Sequence, residues 1–526
     1  MTAQKKQSFF GGAAVLAVGI AVVKVIGALF KIPLASILGE AGMADFSNAY
    51  NIYATFLTIS TAGLPIALSK MVSEATTLNR LRQSRRIFRV SFAAFLVLGV
   101  LSFGIMWWGN ELCANLLHNP HAALGIRALA PAVICVGCLS AFRGYAQGCF
   151  HMTPTAVSQI LESLCKLIVG LLLAAWLLDK GFADYEAAAG AIIGVTCGTV
   201  LSLIYMMIDY FIHRPRELTN DTPESKSKTL RRLLSIAIPI TLSSSMVSII
   251  TLIDTSLVQK QLQAIGYTLD QTRKLYGTYS AGMNLYNLPS SLMVALTASV
   301  IPAVSASLAK KDHKQSLSII SSSLRVTALL SFPMGLGLWA LSTPIMKLIY
   351  PKYDSELGGS LLAVLGIASV FVCLMLITNS ILQSYNRMKT PIFTMLVGGM
   401  AKIVINYILV GNKAINIHGA PIGTMICFII TALLNLIIVA HTMQESPHYF
   451  EIFTKPLMAS VAMAVCAKVI YNFLSLRFST LLAVAGAIAI AALFYLVLVL
   501  VLKIITREDL LLLPKGEKIA DFFHMV

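Results

Sequence analysis

The stretch FFGGAAVLAVGIAVVKVIGALFKIPLASIL, residues 9–38, decides how the chain folds. It carries two lysines, Lys24 and Lys31, and no acidic residue. A helix needs about 20 mostly apolar residues to cross the hydrocarbon core of a bilayer, and this stretch exceeds that length. A cleavable signal peptide has an apolar core of only about 7–15 residues. The stretch therefore predicts a first membrane-spanning helix.

The composition extends this prediction to all 526 residues. Only 12% of them are charged and 57% are apolar. A soluble domain is about 25% charged and 45–50% apolar, so a soluble globule and a disordered chain are both excluded. The net charge is +17, which raises the question of nucleic acid as a partner. However, the charges lie in short clusters between long apolar runs, as in an inner-membrane protein.

The predicted fold class is an all-α polytopic membrane protein. Breaks at clusters of charge, proline and asparagine divide the chain into about 14 apolar segments of spanning length. A transmembrane β-barrel would show weaker segments of alternating polarity. The predicted spans are residues 9–38, 46–73, 87–109, 123–150, 155–178, 187–212, 231–260, 274–308, 315–341, 357–383, 391–412, 420–443, 454–473 and 479–505.

The two halves of the chain resemble each other at a shift of about 236 residues. Three residues of the first half recur at this offset, as the pairs Gln147 and Gln383, Met152 and Met388, and Lys166 and Lys402. The period holds six spans, an even number, which predicts a parallel repeat with the substrate site between its halves. We therefore predict two pseudo-symmetric six-helix lobes, 1–222 and 223–445. Residues 446–526 then hold two further helices and a tail.

Lysines and arginines between the spans predict the orientation. The loops at 39–45 and 110–122 have none, whereas the termini and the alternate loops are basic. Because cytoplasmic loops carry the excess of Lys and Arg, we expect both termini in the cytoplasm of a bacterium. The basic residues behind this expectation include Lys5, Lys6, Arg80, Arg82, Arg85, Arg86, Arg89, Lys503 and Lys518.

Ionisable residues inside the spans are the functional candidates, since a charge at the bilayer centre costs roughly 2.5–3.5 kcal/mol. Lys24 and Lys31 are seven residues apart and share one helix face, which predicts a hydrated cationic cavity. Lys31 and Lys70 could instead extend to the lipid headgroups. The remaining candidate cations within the spans are Arg127, Lys166, Lys402 and Lys468.

Two acidic residues within the spans are candidates as well. Glu162 and Lys166 stand at i and i+4, in the order that favours an ion pair, which has either a functional or a structural role. Asp254 is the one ionisable residue of SIITLIDTSLV (248–258) and is a candidate for ion or proton coupling, with Lys402 as a partner that it could find.

Catalytic and metal-binding motifs do not occur. The chain has no GxxxxGK[ST], HExxH or GxSxG pattern, so we expect neither an enzyme nor an ATP-driven pump. Cys135 and Cys138 form a CxxC within a span, without a second pair or a nearby histidine. Helix packing explains that pair better than a metal site.

Three motifs together resemble a known family. They are GLPIALSKMVSEA (63–75), RGYAQGCFHMTPTAVSQILES (143–163) and LYNLPSSLMVALTASVIPAVS (285–305). The chain resembles the polysaccharide-biosynthesis flippases of the multidrug/oligosaccharidyl-lipid/polysaccharide (MOP) exporter superfamily, over about residues 8–505. Within that family it is most similar to the branch of stage V sporulation protein B, close to the lipid II flippases.

The resemblance implies a V-shaped molecule of two lobes that works by alternating access. It implies transport of an undecaprenyl-pyrophosphate-linked sugar precursor for peptidoglycan of the wall or spore cortex, or for polysaccharide. The expected partners are this precursor, membrane lipids and cell-wall synthesis proteins, with the chain as a monomer. Lys24 stands where lipid II flippases carry an arginine, and Lys31 lies one place from a second. Leu57 or Thr58, and Asn284, stand where those proteins carry further cavity arginines.

The resemblance also implies a sodium site in some family members. Asp254, Asn406 and Thr424 match its positions, while Val410 replaces a second acid. Sodium or proton coupling is therefore a hypothesis, and no other cofactor is expected. The alternative function is a cation-coupled multidrug exporter of the same superfamily, which usually has 12 spans and acids facing its cavity. A membrane enzyme or scaffold is a third class, but it would need a sizeable outer loop.

Overall fold

The computed structural model describes residues 9–213, 219–443, 445, 447–502 and 504. Within these residues the regular structure is entirely helical. Of the basic residues that predicted the orientation, Lys5, Lys6, Lys503 and Lys518 lie outside the described residues. The first eight helices are α1 (Phe9–Thr61), α2 (Leu64–Thr77), α3 (Leu81–Trp108), α4 (Asn110–Leu116), α5 (Ala122–Gly148), α6 (Thr153–Asp179), α7 (Asp184–His213) and α8 (Lys226–Ala264).

The second eight helices begin with a long one that corresponds to the predicted span at 274–308. They are α9 (Leu269–Ala309), α10 (His313–Ala340), α11 (Ser342–Ile349), α12 (Ser355–Ser384), α13 (Thr390–Val410), α14 (Gly419–Thr442), α15 (Tyr449–Leu474) and α16 (Thr480–Val501).

Twelve helical segments of the described chain are long and apolar enough to cross a membrane. One of them, Val18–Thr77, has 60 residues and covers two of the predicted spans. Gly39, with φ of 70°, interrupts the helical backbone of α1 between those two spans. The predicted class, a multi-pass all-α membrane protein, is confirmed, and the count of about 14 spans is approximate.

The described chain divides into two compact units. The first runs to Gln263 and includes residues 267–277, and the second consists of residues 264–266 and those from Thr278 onward. Helix α8 up to Gln263 and the first two turns of α9 thus belong to the first unit. The lobe boundaries predicted at 222 and 445 remain a prediction.

Small residues allow the helices of the first unit to approach closely. A Cβ atom added to Gly194 of α7 would lie 2.4 Å from the backbone nitrogen of Gly170 in α6. A Cβ on Gly19 of α1 would lie 2.8 Å from the Cβ of Ala156 in α6. Small residues at helix contacts are typical of membrane proteins, where backbone packing replaces the hydrophobic effect between helices. These contacts hold α6 firmly against α1 and α7.

The second unit has its own apolar core, and the last two helices pack on it. Ile320 and Leu324 of α10 are fully buried in a cluster with Cys373 and Ile377 of α12. The hydroxyl of Tyr495 in α16 donates to the carbonyl of Leu329 in α10 at 2.9 Å.

The loop that precedes α8 caps the N-terminus of α3. The Asp221 carboxylate accepts hydrogen bonds from the backbone amides of Arg82, at 3.1 Å, and Gln83, at 2.9 Å. Thr219 accepts one from the amide of Leu81 at 2.9 Å. The Gln83 side chain accepts a return bond from the amide of Glu224 at 2.7 Å. The first amides of a helix need such acceptors, and here a distant segment supplies them.

Candidate functional site

The lysines predicted at 24, 31 and 166 come together in the first unit. The charge of Lys31 interacts with those of Lys24, on the same helix, and Lys166, on α6. Nζ of Lys166 lies 4.7 Å from the ring centroid of Phe30 and 5.0 Å from that of Tyr50. Lys24 is exposed, whereas Lys31 and Lys166 are half-buried. We call Lys24, Lys31 and Lys166 the lysine cluster.

Local packing explains why Lys166 meets α1 at this point. The fully buried ring of Phe30 lies against Gly170, one turn after Lys166 on α6, where a Cβ would come within 3.0 Å of the ring. The ring therefore lies directly beneath the lysine. An aromatic face attracts a cation electrostatically and holds it without neutralising it. The arrangement leaves a positive charge available beside Lys31.

Glu162 belongs to the same region but pairs with a residue that the sequence analysis missed. Its carboxylate accepts a hydrogen bond from Nη2 of Arg143, in α5, at 2.9 Å. Nε of Arg143 donates to the hydroxyl of Ser158 at 2.9 Å. The signal for Arg143 was available, since it opens the motif at 143–163. With Arg143 included, four cations and one carboxylate give this site a formal excess of three positive charges.

The structure does not bring Lys70 into this cluster. Lys70 is exposed on α2, and no contact with the three lysines is seen among the described residues. One turn later, Glu74 of the same helix pairs with Arg232 of α8.

Two other candidate cations within the spans lie over aromatic rings. Arg127 lies 4.7 Å from the Trp107 ring centroid, and Lys468 lies 6.0 Å from that of Trp339.

The residues predicted for ion coupling lie in both units. Asn406 of α13 and Thr424 of α14 are fully buried in the second unit, where the Asn406 side chain lies directly against Gly423. The hydroxyl of Thr424 bonds the hydroxyl of Tyr279 at 3.1 Å and donates to the carbonyl of Ala420 at 3.0 Å. Asn406 therefore lies against the residue that precedes Thr424.

Asp254, the third predicted coupling residue, and Asn284, a predicted substrate-binding residue, belong to different units. Asp254 of α8 is buried in the first unit, and Asn284 of α9 is half-buried in the second. Lys402, one turn before Asn406 on α13, is buried too.

A row of uncharged polar contacts joins α1 to α8 within the first unit. Asn48 and Gln259 exchange two amide hydrogen bonds, and Asn51 donates to Thr255 at 3.1 Å. Further along, Ser248 donates to Thr58 at 3.1 Å. Beyond the end of α1, the amide of Gly63 donates to Thr241 at 3.2 Å. We call these four contacts the α1–α8 polar zipper. Thr241, Ser248 and Thr255 are spaced by seven residues, a signal that sequence reading could have used.

A buried arginine ties the start of α9 to the same unit. Arg273 pairs with Asp45 of α1, and its Nη2 donates to Asp184 of α7 at 3.1 Å. Asp45 also accepts from the side chain of Asn119 at 2.8 Å. Arg273 and Asp45 are both almost fully buried. Sequence reading missed this cluster because its members lie near predicted span ends, where charges are usually solvated.

Helices of this number and length, with Lys166 of α6 packed against α1, define a polytopic membrane protein. The chain belongs to the family of polysaccharide biosynthesis proteins, whose model matches residues 9–308. A second family model, MatE, matches residues 239–408. The chain is thus a member of the MOP exporter superfamily, which confirms the resemblance seen in the three motifs.

Three relatives from Bacillus subtilis (strain 168) align over most of their length. The chain is 25% identical to the uncharacterized membrane protein YabM, with 99% of this chain and 97% of YabM covered. It is 26% identical to the lipid II flippase MurJ, with coverages of 87% and 88%. It is 23% identical to stage V sporulation protein B, with coverages of 97% and 98%.

Two solved structures share the fold. The lipid II flippase MurJ in an inward closed conformation has a TM-score of 0.70 at 16% identity, covering 92% of this chain and 98% of that one. A MATE family multidrug resistance transporter of the MOP superfamily, in an inward-facing conformation, has a TM-score of 0.67 at 14% identity, covering 81% and 98%. At identities this low, the structural likeness establishes the fold alone.

Proposed function

We propose that the protein is a flippase for an undecaprenyl-pyrophosphate-linked sugar precursor, lipid II or a related lipid-linked oligosaccharide. The observation that carries the proposal is the lysine cluster, which with Arg143 and Glu162 holds an excess of three positive charges between α1, α5 and α6. A pyrophosphate group is the anion that such a site suits. The relative named a lipid II flippase supports the same substrate class.

The physics of transport explains why such a cluster is needed. A pyrophosphate headgroup must cross about 30 Å of hydrocarbon, where it loses its hydration. Ammonium groups in a hydrated cavity replace those lost interactions, and the polyprenyl tail can remain in lipid. A membrane potential that is negative inside also favours outward movement of an anion, by about 2.3 kcal/mol per charge per 100 mV.

The proposal assigns a role to each predicted residue. Lys24, Lys31 and Lys166 bind the pyrophosphate, and Glu162 shapes the charge of the site. Lys70 and Asn284 contact other parts of the substrate along its path. Asp254, Asn406 and Thr424 serve ion coupling, by sodium or protons. The chain transports its substrate without chemical change, works as a monomer beside cell-wall synthesis proteins, and keeps both termini in the cytoplasm.

A cation-coupled multidrug exporter is the second candidate. The MatE match at 239–408 and the likeness to a MATE structure favour it. A cavity for cationic drugs needs acidic residues, however, and Glu162, the acid nearest the lysine cluster, is already paired with Arg143. The charge of the first unit therefore favours an anionic substrate.

A vesicle assay tests the proposal. Purified protein is reconstituted with fluorescent lipid II and with other undecaprenyl-pyrophosphate sugars, and the fraction accessible to an outside quencher is followed. We expect accelerated exposure for at least one of these lipids. Folded protein that leaves all of them unexposed, while moving a cationic dye, would instead establish the drug exporter.

A further inference from the structure

One carboxylate in the site has two cations within reach. Glu162 and Lys166 are four residues apart on α6, in the order that favours an ion pair along a helix. The structure pairs Glu162 with Arg143 instead, at 2.9 Å. Lys166 lies over the rings of Phe30 and Tyr50, at 4.7 and 5.0 Å. Arg143 therefore takes the carboxylate that sequence proximity assigns to Lys166.

The guanidinium is held in place by α6 at two successive turns. Nε of Arg143 donates to the hydroxyl of Ser158, and Nη2 donates to Glu162, both at 2.9 Å. Ser158 is fully buried, and its hydroxyl in turn donates to the carbonyl of Thr155 at 2.8 Å. A planar fork can hold a hydroxyl and a carboxylate together, which the single ammonium of a lysine does poorly. The pair is a fixed part of the α5–α6 contact.

The pairing decides how much of the Lys166 charge is left for a ligand. A carboxylate bound directly to Lys166 would cancel most of the field that the ammonium presents to an anion. Glu162 is bound directly to Arg143, on the side of α5, and its charge acts on Lys166 only through space. An aromatic face under Lys166 stabilises its charge while contributing no counter-charge.

We propose that Arg143 is a positioning residue for anion binding: it holds the Glu162 carboxylate so that Lys166, beside Lys31, stays available to the substrate. The proposal rests on the function proposed above. It predicts that removing the charge of Arg143 weakens anion binding, because the released Glu162 carboxylate then pairs with Lys166. Removing that carboxylate as well should restore anion binding.

Charge rescue tests this role. Undecaprenyl pyrophosphate is titrated into the full-length protein in detergent. We expect Arg143→Gln to weaken binding about tenfold, the order of one unit charge acting at close range. We expect Arg143→Gln/Glu162→Gln to return to within about threefold of the unchanged protein. Arg127→Gln, on the same helix beside Trp107, removes an equal charge away from the cluster and should have no effect.

Amine labelling supplies a readout that does not depend on the ligand. A small acylating reagent is applied, and modification of Lys166 is quantified by mass spectrometry. We expect Arg143→Gln to lower this modification and the double variant to restore it, with Lys468 as the internal reference. A double variant as impaired as Arg143→Gln in both measurements, though folded, would overturn the positioning role.

The two measurements also separate this inference from the proposed function. In one outcome, the protein binds no undecaprenyl pyrophosphate while the double variant still restores the labelling of Lys166. That result would overturn the proposed substrate and confirm that Arg143 keeps Lys166 available. Binding that is lost in Lys31→Gln and not rescued in the double variant would overturn the role of Arg143 and keep the substrate.

Discussion

Asn48 and Gln259 exchange both of their side-chain amide hydrogen bonds, at 2.9 and 3.1 Å, and both residues are fully buried. They belong to α1 and α8, and 211 residues of sequence separate them. Each amide satisfies the other, so neither needs water at this point. This pair is the most enclosed contact of the α1–α8 polar zipper.

Replacing one member of this pair should destabilise the protein more than replacing both. Asn48→Leu leaves the Gln259 amide buried without its partner, at a cost of about 1–3 kcal/mol. Asn48→Leu/Gln259→Leu removes both polar groups, so its cost should fall below the sum of the single variants. Unfolding by denaturant in detergent measures the three values. Additive costs would show that the two amides do not depend on each other.

The ion pair of Arg273 with Asp45 should contribute strongly to folding. Arg273→Met leaves the Asp45 carboxylate buried without its cation, and breaking a buried pair typically costs about 3–5 kcal/mol. Lys274→Met is the matched control, because Lys274 is exposed and pairs with the exposed Asp270, a contact of about 0–1 kcal/mol. Thermal unfolding in detergent gives the comparison. Equal losses in the two variants would show that the burial of Arg273 has no energetic consequence.

The cap of α3 by Asp221 should weaken in acid. Partial burial opposes ionisation of Asp221, but hydrogen bonds from Thr219 and from the amides of Gln83 and Arg82 outweigh it and lower the pKa of this carboxyl. A carboxyl with a lowered folded pKa contributes stability above its unfolded value, about 3.9, and loses it as the pH falls through the folded value.

Hydrogen exchange can follow this loss. The amides of residues 81–83 should keep their protection near neutral pH and lose it below about pH 4. Asp221→Asn should lower their protection near neutral pH and remove the acid dependence. Persistence of that dependence in the variant would assign it to another group.

Within the lysine cluster, loss of one charge should weaken substrate binding. We expect Lys31→Gln and Lys166→Gln each to raise the dissociation constant for undecaprenyl pyrophosphate about tenfold. Lys468→Gln removes a lysine that stacks on Trp339 in the second unit and should leave binding unchanged. The same titration in all three variants makes the test. Equal effects of all three substitutions on binding would show that only the total charge of the protein matters, and not the lysine cluster.

Sequence reading predicted the fold class and the cationic site because both leave strong signals. Long apolar runs mark spanning helices whatever they pack against, and a lysine within such a run is costly enough to indicate a role. Lys24, Lys31 and Lys166 were singled out for this reason, and their function stays a prediction. The break at Gly39 also lies between two predicted spans.

Partners that depend on tertiary contact were not predictable. The spacing of Glu162 and Lys166 favours a local pair, and nothing in the sequence says that α5 brings Arg143 to the same carboxylate. Asp45 and Arg273 are 228 residues apart, so their pairing is visible only in the folded chain. Neutral residues such as Asn51 and Thr255 cost little in a span and attract no notice.

The α1–α8 polar zipper also affects the free energy that is needed to separate α1 from α8. Its side chains are amides and hydroxyls, and water can bind each of these groups about as well as the present partner does. Separating the helices into a water-filled space would therefore cost only about 0.5–1.5 kcal/mol per hydrogen bond. Exposing a buried leucine or isoleucine would cost about 1.5–3 kcal/mol at each position. The α1–α8 polar zipper is therefore a set of contacts that can be exchanged for water at a lower cost than apolar contacts of the same number.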